Sequence, residues 1–255
     1  MSSKSLSEHT FIRNVILEDG INIEKYPFTI PSVRHLNDLN LDQAVTFLVG
    51  ENGTGKSTII EAIAIAAGFN AEGGSKNIHF STRDTSSPLA KNIRLSKGIK
   101  KPATGYFLRA ESFYNVASEI ERLDEDPEGG AAIGANYGDI PLHHQSHGES
   151  FLALVNNRFG PNGLYILDEP EAALSPARQL SLLMRIGQLV DEGSQFIIAT
   201  HSPILLAYPE ATIYELTQQG AHRTQYEETS HYTFTTDFLN NHQAYTRRLN
   251  DKFER

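Results

Sequence analysis

A glycine-rich segment at residues 50–57, with the sequence GENGTGKS, constrains the fold of this chain more than any other feature. It follows the continuous β-rich run Ala44–Val49 and precedes Lys56–Ala67, which reads as a helix. The glycines let the backbone curl so that successive N–H groups point at one anion, and the helix adds its N-terminal dipole. Pattern, strand and helix together fit the phosphate-binding loop, or P-loop. We therefore expect a site for nucleotide phosphates at the end of a buried strand.

Two side chains of this loop have expected roles beyond the backbone. Lys56 can reach the β- and γ-phosphates, and the Ser57 hydroxyl can ligate Mg²⁺. A glycine-rich turn with a chance Lys-Ser pair is the alternative, and the flanking strand and helix make it the weaker one. The predicted nucleotide-binding residues of the loop are Gly50, Glu51, Asn52, Gly53, Thr54, Gly55, Lys56, Ser57 and Thr58.

A second apolar strand, Leu164–Leu167, ends in two carboxylates, Asp168 and Glu169. This arrangement is the pattern called Walker B. We expect Asp168 to hold Mg²⁺ through its water shell, and Glu169 to orient or deprotonate the attacking water. Two solvated acids at a strand end are the alternative, which the presence of a P-loop disfavours.

A third apolar strand, Phe196–Ala199, leads through Thr200 to His201. Residues at the carboxyl ends of strands in an open α/β sheet lie beside the ligand crevice. A histidine there can donate to the γ-phosphate and hold the water and Glu169 in line, whereas a hydrogen-bonded surface histidine is the alternative. The predicted catalytic set is therefore Lys56, Glu169 and His201.

Strands alternate with helices along most of the chain, which predicts one α/β domain, 1–255, with a mostly parallel core sheet. Residues 11–34 contain short apolar runs broken by glycine and proline, which indicates an N-terminal antiparallel β lobe. Residues 112–162 break the alternation and predict an inserted helical sub-lobe. Further expected elements are strands at Tyr106–Leu108 and Thr212–Leu216, a helix from Ser175 to Gly193 with apolar residues from Leu180 to Val190, and a tail helix at Thr235–Leu249.

The charge balance and the residue types narrow the class of protein. With 22 Lys plus Arg against 31 Asp plus Glu, the net charge of −9 argues against a chain that simply coats DNA or an anionic membrane. The stretch Lys91–Lys101 is nevertheless basic and contains no acid. A solvated face is the favoured interpretation, with nucleic-acid contact as the alternative.

Other composition features exclude several kinds of site. The absence of cysteine rules out disulfides, thiolate metal sites and cysteine nucleophiles. The apolar stretch Ile59–Phe69 is too short to cross a bilayer, and the N-terminal residues have no apolar signal core. We expect a cytoplasmic protein without membrane insertion.

The P-loop, the paired carboxylates and the histidine together resemble the ATP-binding-cassette (ABC) ATPases. That family carries a signature near Leu-Ser-Gly-Gly-Gln before Walker B, and residues 145–149, QSHGE, stand in that place here. Ser146 and Gly148 match the signature, while His147 and Glu149 depart from it. The resemblance implies ATP as the nucleotide, Mg²⁺ as its cofactor and hydrolysis as the reaction.

The same resemblance implies a partner. Ser146 and Gly148 would contact the γ-phosphate held by the P-loop of a second copy, so that a head-to-tail homodimer encloses two ATP molecules. Leu174-Ser175 would form the D-loop that crosses this interface.

Within the superfamily, the chain resembles the RecF/SMC-like branch of stand-alone bacterial ATPases more than transporter subunits. The segments that carry this resemblance are 107–113, 145–151 and 171–176, and the likeness runs from about residue 11 to 249. The short distance from Glu111 to the signature leaves no room for a long coiled coil. Glu111 stands where most cassettes have a glutamine, and the resemblance makes it a third candidate Mg²⁺ ligand.

Several questions of function stay open at this point. The favoured role is DNA maintenance or defence through a DNA-contacting surface, and the alternative is the ATP-binding subunit of a membrane transporter, which would co-purify with a membrane protein. An ATP-gated switch that barely turns over, and an unidentified protein client, are further possibilities. Tyr26 and Phe28 are both candidates for stacking on adenine.

Overall fold

The computed structural model of the chain describes residues 10–36, 39–75, 87–110 and 146–253. Their strands are β1 (Ile12–Leu17), β2 (Val45–Gly50), β3 (Gly74–Ser75), β4 (Ile93–Lys97), β5 (Thr104–Arg109), β6 (Gly163–Asp168), β7 (Gln195–Ala199), β8 (Thr212–Thr217) and β9 (Gly220–Thr224). Their helices are α1 (Pro31–Arg34), α2 (Lys56–Ala66), α3 (His147–Arg158), α4 (Pro176–Asp191), α5 (Pro203–Leu206) and α6 (Ser230–Phe253).

Seven of these strands form one sheet in the order β3-β5-β6-β7-β2-β8-β9. The five strands from β5 to β8 are mutually parallel, and β3 and β9 pair antiparallel at the two edges. The mostly parallel sheet predicted from the alternation of strands and helices is thus confirmed. Because β2, β6 and β7 are neighbours, their carboxyl ends meet at the same edge of the sheet.

The apolar runs that predicted the central strands are buried on both faces. Every residue of β2, β6 and β7 is buried. Successive side chains of a strand point to opposite faces, so Phe47 packs in the core beside α3 and α4, whereas Leu48 packs in the core beside α2. Helices therefore pack on both faces of the sheet, whose strand ends carry the predicted site residues.

The antiparallel lobe is real, but its second strand lies elsewhere than predicted. Within residues 11–34 only β1 is a strand, and it pairs antiparallel with β4 from the basic stretch Lys91–Lys101. Ile93 of β4 is buried while its cations face solvent. The sequence prediction missed β4 because the five cations of the stretch Lys91–Lys101 outnumber its three apolar residues, which favoured the interpretation as a charged surface.

The structure differs from the helix predictions in details of α4 and α6. Ser175 occupies the N-cap position of α4 without a capping hydrogen bond from its side chain, and Leu180 on the same helix is 56% exposed. Helix α6 begins before the predicted Thr235 and has a non-helical residue at Asn241. Of the predicted sub-lobe, 112–162, residues 112–145 lie outside the described part.

No helix among the described residues combines the length and the apolar character that are needed to cross a bilayer.

Candidate nucleotide site

The P-loop connects the end of β2 to the start of α2, as its sequence predicts. Gly50 has φ 152°, and a Cβ placed there would lie 2.5 Å from the carbonyl oxygen of Leu216 on the neighbouring strand β8. Gly55 has φ 96° immediately before α2, a backbone conformation that L side chains rarely adopt. The loop can take this path only because both positions are glycine.

Lys56 is folded back onto the loop that it follows. It is 4% exposed, and its Nζ donates to the carbonyl oxygens of Gly50 and Glu51 at 2.9 and 3.1 Å. Burial lowers the pKa of Lys56, while the charges of nearby carboxylates, led by Glu169 and then Asp168, oppose that shift. The ammonium group thus lies among acceptors that an anionic ligand can replace.

The two predicted Mg²⁺ ligands of the described residues lie in contact across the sheet edge. Ser57 Oγ donates to Asp168 Oδ1 at 3.2 Å, and Asp168 is 5% exposed. Hydroxyl and carboxylate oxygens are the ligands that Mg²⁺ prefers in proteins. This donor set fits the ion, and the third predicted ligand, Glu111, lies outside the described residues.

An arginine that the sequence prediction did not include lies next to Asp168. Arg109, at the end of β5, forms an ion pair with Glu61 of α2 at 2.9 Å. Its Nε lies 3.5 Å from Asp168 Oδ2, at a distance that allows electrostatic attraction but without an aligned hydrogen bond. Burial raises the pKa of Glu61, and the adjacent guanidinium opposes that rise. Arg109 therefore places a positive charge beside the buried carboxylate of Asp168.

Glu169 and His201 face each other beyond the ends of β6 and β7. The backbone of Glu169 is left-handed, with φ 50°, and its N–H donates to the Ala199 carbonyl at 2.9 Å. His201 Nε2 lies 3.2 Å from Glu169 Oε1. This contact is within ion-pair distance, but Nε2 has no aligned hydrogen-bond partner among the described residues. The pairing of Glu169 with His201 that the sequence predicted is present.

The backbone at His201 is held by a further carboxylate. The N–H of His201 donates to Glu171 Oε1 at 2.5 Å. Burial raises the pKa of Glu171, while the hydrogen bond from His201 opposes the rise. Glu171 therefore anchors the loop that carries the histidine.

His231 is a further residue of this cluster that sequence reasoning missed. Its Nε2 lies 3.0 Å from His201 Nδ1, and it belongs to the first turn of α6. It stands in no motif and precedes the predicted start of the tail helix, so that only the folded chain reveals the contact.

The signature residues form the start of α3. Ser146 is its N-cap, and the backbone N–H and hydroxyl of Ser146 both donate to Glu149 Oε2, at 2.9 and 2.6 Å. Arg178 of α4 donates to both Ser146 and Glu149. A Cβ at Gly148 would lie 2.7 Å from Arg178 and 2.9 Å from the Ala173 carbonyl oxygen. The departure from the family pattern at Glu149 thus supplies a cap and an ion-pair partner, and hydrogen bonding to Ser146 lowers the pKa of Glu149.

The two candidates for adenine stacking are separated by their burial. Phe28 is 6% exposed and packs in the core beside α2. Tyr26 is 67% exposed, and its hydroxyl lies 3.4 Å from Thr58 Oγ1, next to the P-loop. Of these two candidates, Tyr26 is the one that presents its ring to solvent beside the predicted phosphate site.

Comparisons with known proteins give two matches to family models, and both models describe AAA domains. A family model described as an AAA domain matches residues 22–128, and a second, described as "AAA domain, putative AbiEii toxin, Type IV TA system", matches residues 136–207. The first match contains the P-loop, and the second contains Asp168, Glu169 and His201. No curated protein matches the sequence.

Solved structures with a similar fold have low sequence identity to this chain. CbiO1 from Clostridium perfringens, described as part of the ABC transporter complex CbiONQ, is 14% identical with a TM-score of 0.45, covering 96% of this chain and 100% of that one. An SMC head domain from Thermotoga maritima is 17% identical with a TM-score of 0.39, covering 73% of this chain and 92% of that one. A nucleotide-free ATP-binding cassette from an ABC transporter is 17% identical with a TM-score of 0.45, covering 73% and 83%.

The two AAA-domain matches cover successive parts of the chain, and each contains motif residues that meet at the sheet edge. The chain is therefore similar to AAA-domain proteins over these two segments, and the matches indicate a P-loop enzyme that hydrolyses ATP.

Proposed function

We propose that the chain binds MgATP at the carboxyl edge of its parallel sheet and hydrolyses it in a head-to-tail homodimer. One observation carries the proposal: Ser57 contacts Asp168, and Glu169 contacts His201, at the ends of neighbouring strands beside Lys56. These are the groups that phosphoryl transfer to water requires: a phosphate cradle, oxygen ligands for a metal ion and a base with its orienting partner.

In this proposal Lys56 donates hydrogen bonds to the phosphates. A phosphate oxygen carries more negative charge than a peptide carbonyl, so it is a stronger acceptor for Nζ than the carbonyls of Gly50 and Glu51. The amides of the loop and the N-terminus of α2 complete the cradle. Ser57 and Asp168 would hold Mg²⁺, with Glu111 as a further ligand, and the bound ion would neutralise charge on the phosphates.

Glu169 has the role of general base, with His201 as its partner. Its left-handed backbone turns the carboxylate out of the strand, where it is 35% exposed and open to a water molecule. His201, 27% exposed, lies on the far side of that carboxylate and can donate to the γ-phosphate. Glu169 would take the proton of the attacking water while His201 holds the pair in line.

The proposal of a dimer rests on the signature residues. Ser146 lies at the exposed N-terminus of α3, a helix of 12 residues, and Gly148 packs against Arg178 so closely that a side chain there would clash. The hydrogen bonds described for Ser146 run to Glu149, Ser150 and Arg178 and to no P-loop residue. This exposed position supports a model in which a second copy brings its signature to each γ-phosphate.

Replacement of the general base tests this proposal. Glu169→Gln removes water activation and keeps the phosphate contacts, so we expect an ATP-bound dimer that persists while hydrolysis falls by a factor of about a hundred or more. Size-exclusion chromatography with light scattering, with and without MgATP, measures the dimer. A Glu169→Gln protein that stays monomeric with bound MgATP would contradict the head-to-tail model.

A second substitution in the Glu169→Gln background tests the signature. Ser146→Asp keeps a side chain that favours the N-cap but adds a negative charge facing the partner's γ-phosphate, so the trapped dimer should dissociate. Ser146→Asn has nearly the same shape without the charge and serves as the matched control that keeps the dimer. Equal dimerisation of the two variants would remove Ser146 from the interface.

We also propose a role for the ATPase cycle in DNA maintenance or defence. The supporting observation is a surface that we call the basic edge, formed by Lys91, Arg94, Lys97, Lys100 and Lys101 on β4 and its flanking turns, all of which are exposed. Arg94 pairs with Glu18 at 3.5 Å between two exposed side chains, an interaction that contributes little to stability. Cations spread along a strand and its turn suit contact with successive phosphates of a nucleic-acid backbone.

A further inference from the structure

His231 contacts the histidine that faces the general base, yet it belongs to none of the ATPase motifs. We propose that His231 is a positioning residue for ATP hydrolysis, which holds neutral His201 in the tautomer that presents its Nε2–H to Glu169 and the γ-phosphate. This inference rests on the proposed role of His201.

The direction of the hydrogen bonds follows from the atoms that face each other. One hydrogen joins His201 Nδ1 to His231 Nε2 across 3.0 Å, so one nitrogen donates and the other accepts. On the other side of the His201 ring, Nε2 lies 3.2 Å from a carboxylate oxygen of Glu169. A lone pair on Nε2 would face that negative charge, so Nε2 carries the hydrogen. In neutral His201, Nδ1 is then the acceptor, and His231 must donate to it.

The far side of His231 agrees with this direction. Its Nδ1 lies 3.3 Å from Ser230 Oγ, a hydroxyl that can donate to it. A neutral ring with hydrogen on Nε2 and a lone pair on Nδ1 satisfies both contacts. The resulting chain of hydrogen bonds runs from Ser230 through His231 to His201, whose Nε2–H then lies 3.2 Å from the carboxylate of Glu169.

The surroundings of His231 favour this neutral ring. Burial, followed by the charge of His201, lowers the pKa of His231. The charged groups that act on it are Glu51 and Lys56 of the P-loop and Glu215 of β8, of which the acids oppose the shift and the lysine adds to it. An uncharged His231 can carry its hydrogen on Nε2 and keep the lone pair on Nδ1 that the two contacts require.

The start of α6 is held firmly enough to place the ring. The backbone N–H of Ser230 donates to Glu215 Oε1 at 3.1 Å, and the preceding Thr229 is fully buried. Thr229 Oγ1 donates to the Tyr226 carbonyl at 2.8 Å. Because β8 is a neighbour of β2, the anchor of α6 belongs to the same sheet as the P-loop strand.

The test compares three substitutions on α6 in the full chain. His231→Leu removes the donor, and His231→Gln keeps an amide N–H that can donate to His201 Nδ1. His242→Leu is the matched control, because it makes the same change at an exposed position of the same helix. The measurements are kcat and KM for MgATP, MgATP affinity by calorimetry, and the thermal unfolding midpoint.

We expect His231→Leu to lower kcat by roughly 10-fold to 100-fold, by analogy with the hydrogen-bond partners that orient metal-ligating histidines, with MgATP affinity and the unfolding midpoint unchanged. His231→Gln should recover most of the rate, and His242→Leu should match the wild type. A wild-type kcat in His231→Leu, or an equal loss in the Leu and Gln variants, would overturn the inference.

His201→Leu separates this inference from the proposed function. If His201→Leu turns over ATP at the wild-type rate, the proposed role of His201 fails and the role of His231 fails with it. If His201→Leu is slow while His231→Leu is not, only the inference about His231 fails. If His231→Leu lowers the unfolding midpoint, the His231→Gln comparison decides, because a purely structural role would not be restored by a hydrogen-bond donor alone.

Discussion

The acids of the nucleotide site have different surroundings although they lie within four positions of each other. Asp168 is buried beside the Ser57 hydroxyl and the Arg109 guanidinium, which suits a metal ligand that remains charged. Glu169 is partly exposed and can meet water. Glu171 accepts a backbone hydrogen bond instead. In the proposed mechanism, a single strand end would thus supply a metal ligand, a base and a structural anchor.

The structural role of Glu171 leads to a pH-dependent prediction. Burial raises its folded pKa above the unfolded value, so the folded state binds more protons and the free energy of unfolding falls as pH rises through that window. Below the unfolded pKa this penalty is absent, and above the folded pKa it is fully present. Glu171→Gln keeps an oxygen that can accept from the His201 N–H but cannot ionise.

We therefore expect Glu171→Gln to be as stable as the wild type near about pH 4 and more stable near about pH 7, with a difference that grows between them. Urea unfolding at a series of pH values measures it. Glu24→Gln, at an exposed position, is the control. A stability difference that does not change with pH would show that the carboxyl is not the titrating group.

At the scale of elements, the strands with continuous apolar sequence were the predictable part of the fold. β2, β6 and β7 are buried on both faces, so nearly every residue carries the same signal, and the motif residues follow them directly along the chain. The P-loop, the carboxylate pair and the position of His201 could be predicted for that reason.

The features that the sequence did not predict depend on contacts between distant segments. β4 is a strand of only five residues in a stretch rich in cations, and its partner β1 lies far away in the chain, so the segment by itself favoured a charged surface. His231 reaches His201 only because α6 folds back against the sheet edge. Each contact joins two segments that lie far apart in the chain, so neither partner can be identified from one segment alone.

Gln195, at the start of β7, is a further case in which tertiary contacts explain a polar residue in a buried strand. It is 1% exposed and makes four hydrogen bonds: its Oε1 accepts from the N–H groups of Phe11 and Ile12, and its Nε2 donates to the carbonyls of Ile12 and Leu41. One side chain thereby joins the two-stranded lobe and the approach to β2 to the main sheet.

Gln195→Leu should therefore destabilise the protein strongly, although the two side chains have similar volumes. It leaves buried backbone groups without partners, each at a cost of about 1–3 kcal/mol, so we expect the free energy of unfolding to fall by about 3 kcal/mol or more. Equilibrium unfolding in urea measures the change. Gln219→Leu, in the exposed turn before β9, is the matched control and should change it by less than about 0.5 kcal/mol. Equal effects of the two substitutions would contradict the proposed role of the Gln195 side chain in joining the lobe to the main sheet.

At the scale of the whole molecule, charge is distributed unevenly. The chain carries a net charge of −9, and acids surround the nucleotide site, yet the basic edge on β4 has no acid between Lys91 and Lys101. The antiparallel pairing of β1 with β4 ties this edge to the lobe that Gln195 joins to the main sheet. A ligand bound at the basic edge therefore contacts a unit that is hydrogen-bonded to the strand leading to His201.

That arrangement predicts stimulation of the ATPase by duplex DNA. We expect the rate to rise with DNA and the effect to fade with added salt, because phosphate contacts release counterions. The triple variant Lys97→Gln/Lys100→Gln/Lys101→Gln should keep its basal rate and lose the stimulation, with the salt slope of DNA binding reduced by about 1 for each phosphate contact removed. Lys25→Gln/Arg223→Gln/Arg247→Gln removes the same charge from exposed positions outside the basic edge, and should keep the response. If both triple variants respond to DNA like the wild type, or if DNA leaves the wild-type rate unchanged at low salt, the basic edge is a solvated surface and the role in DNA maintenance or defence loses its support.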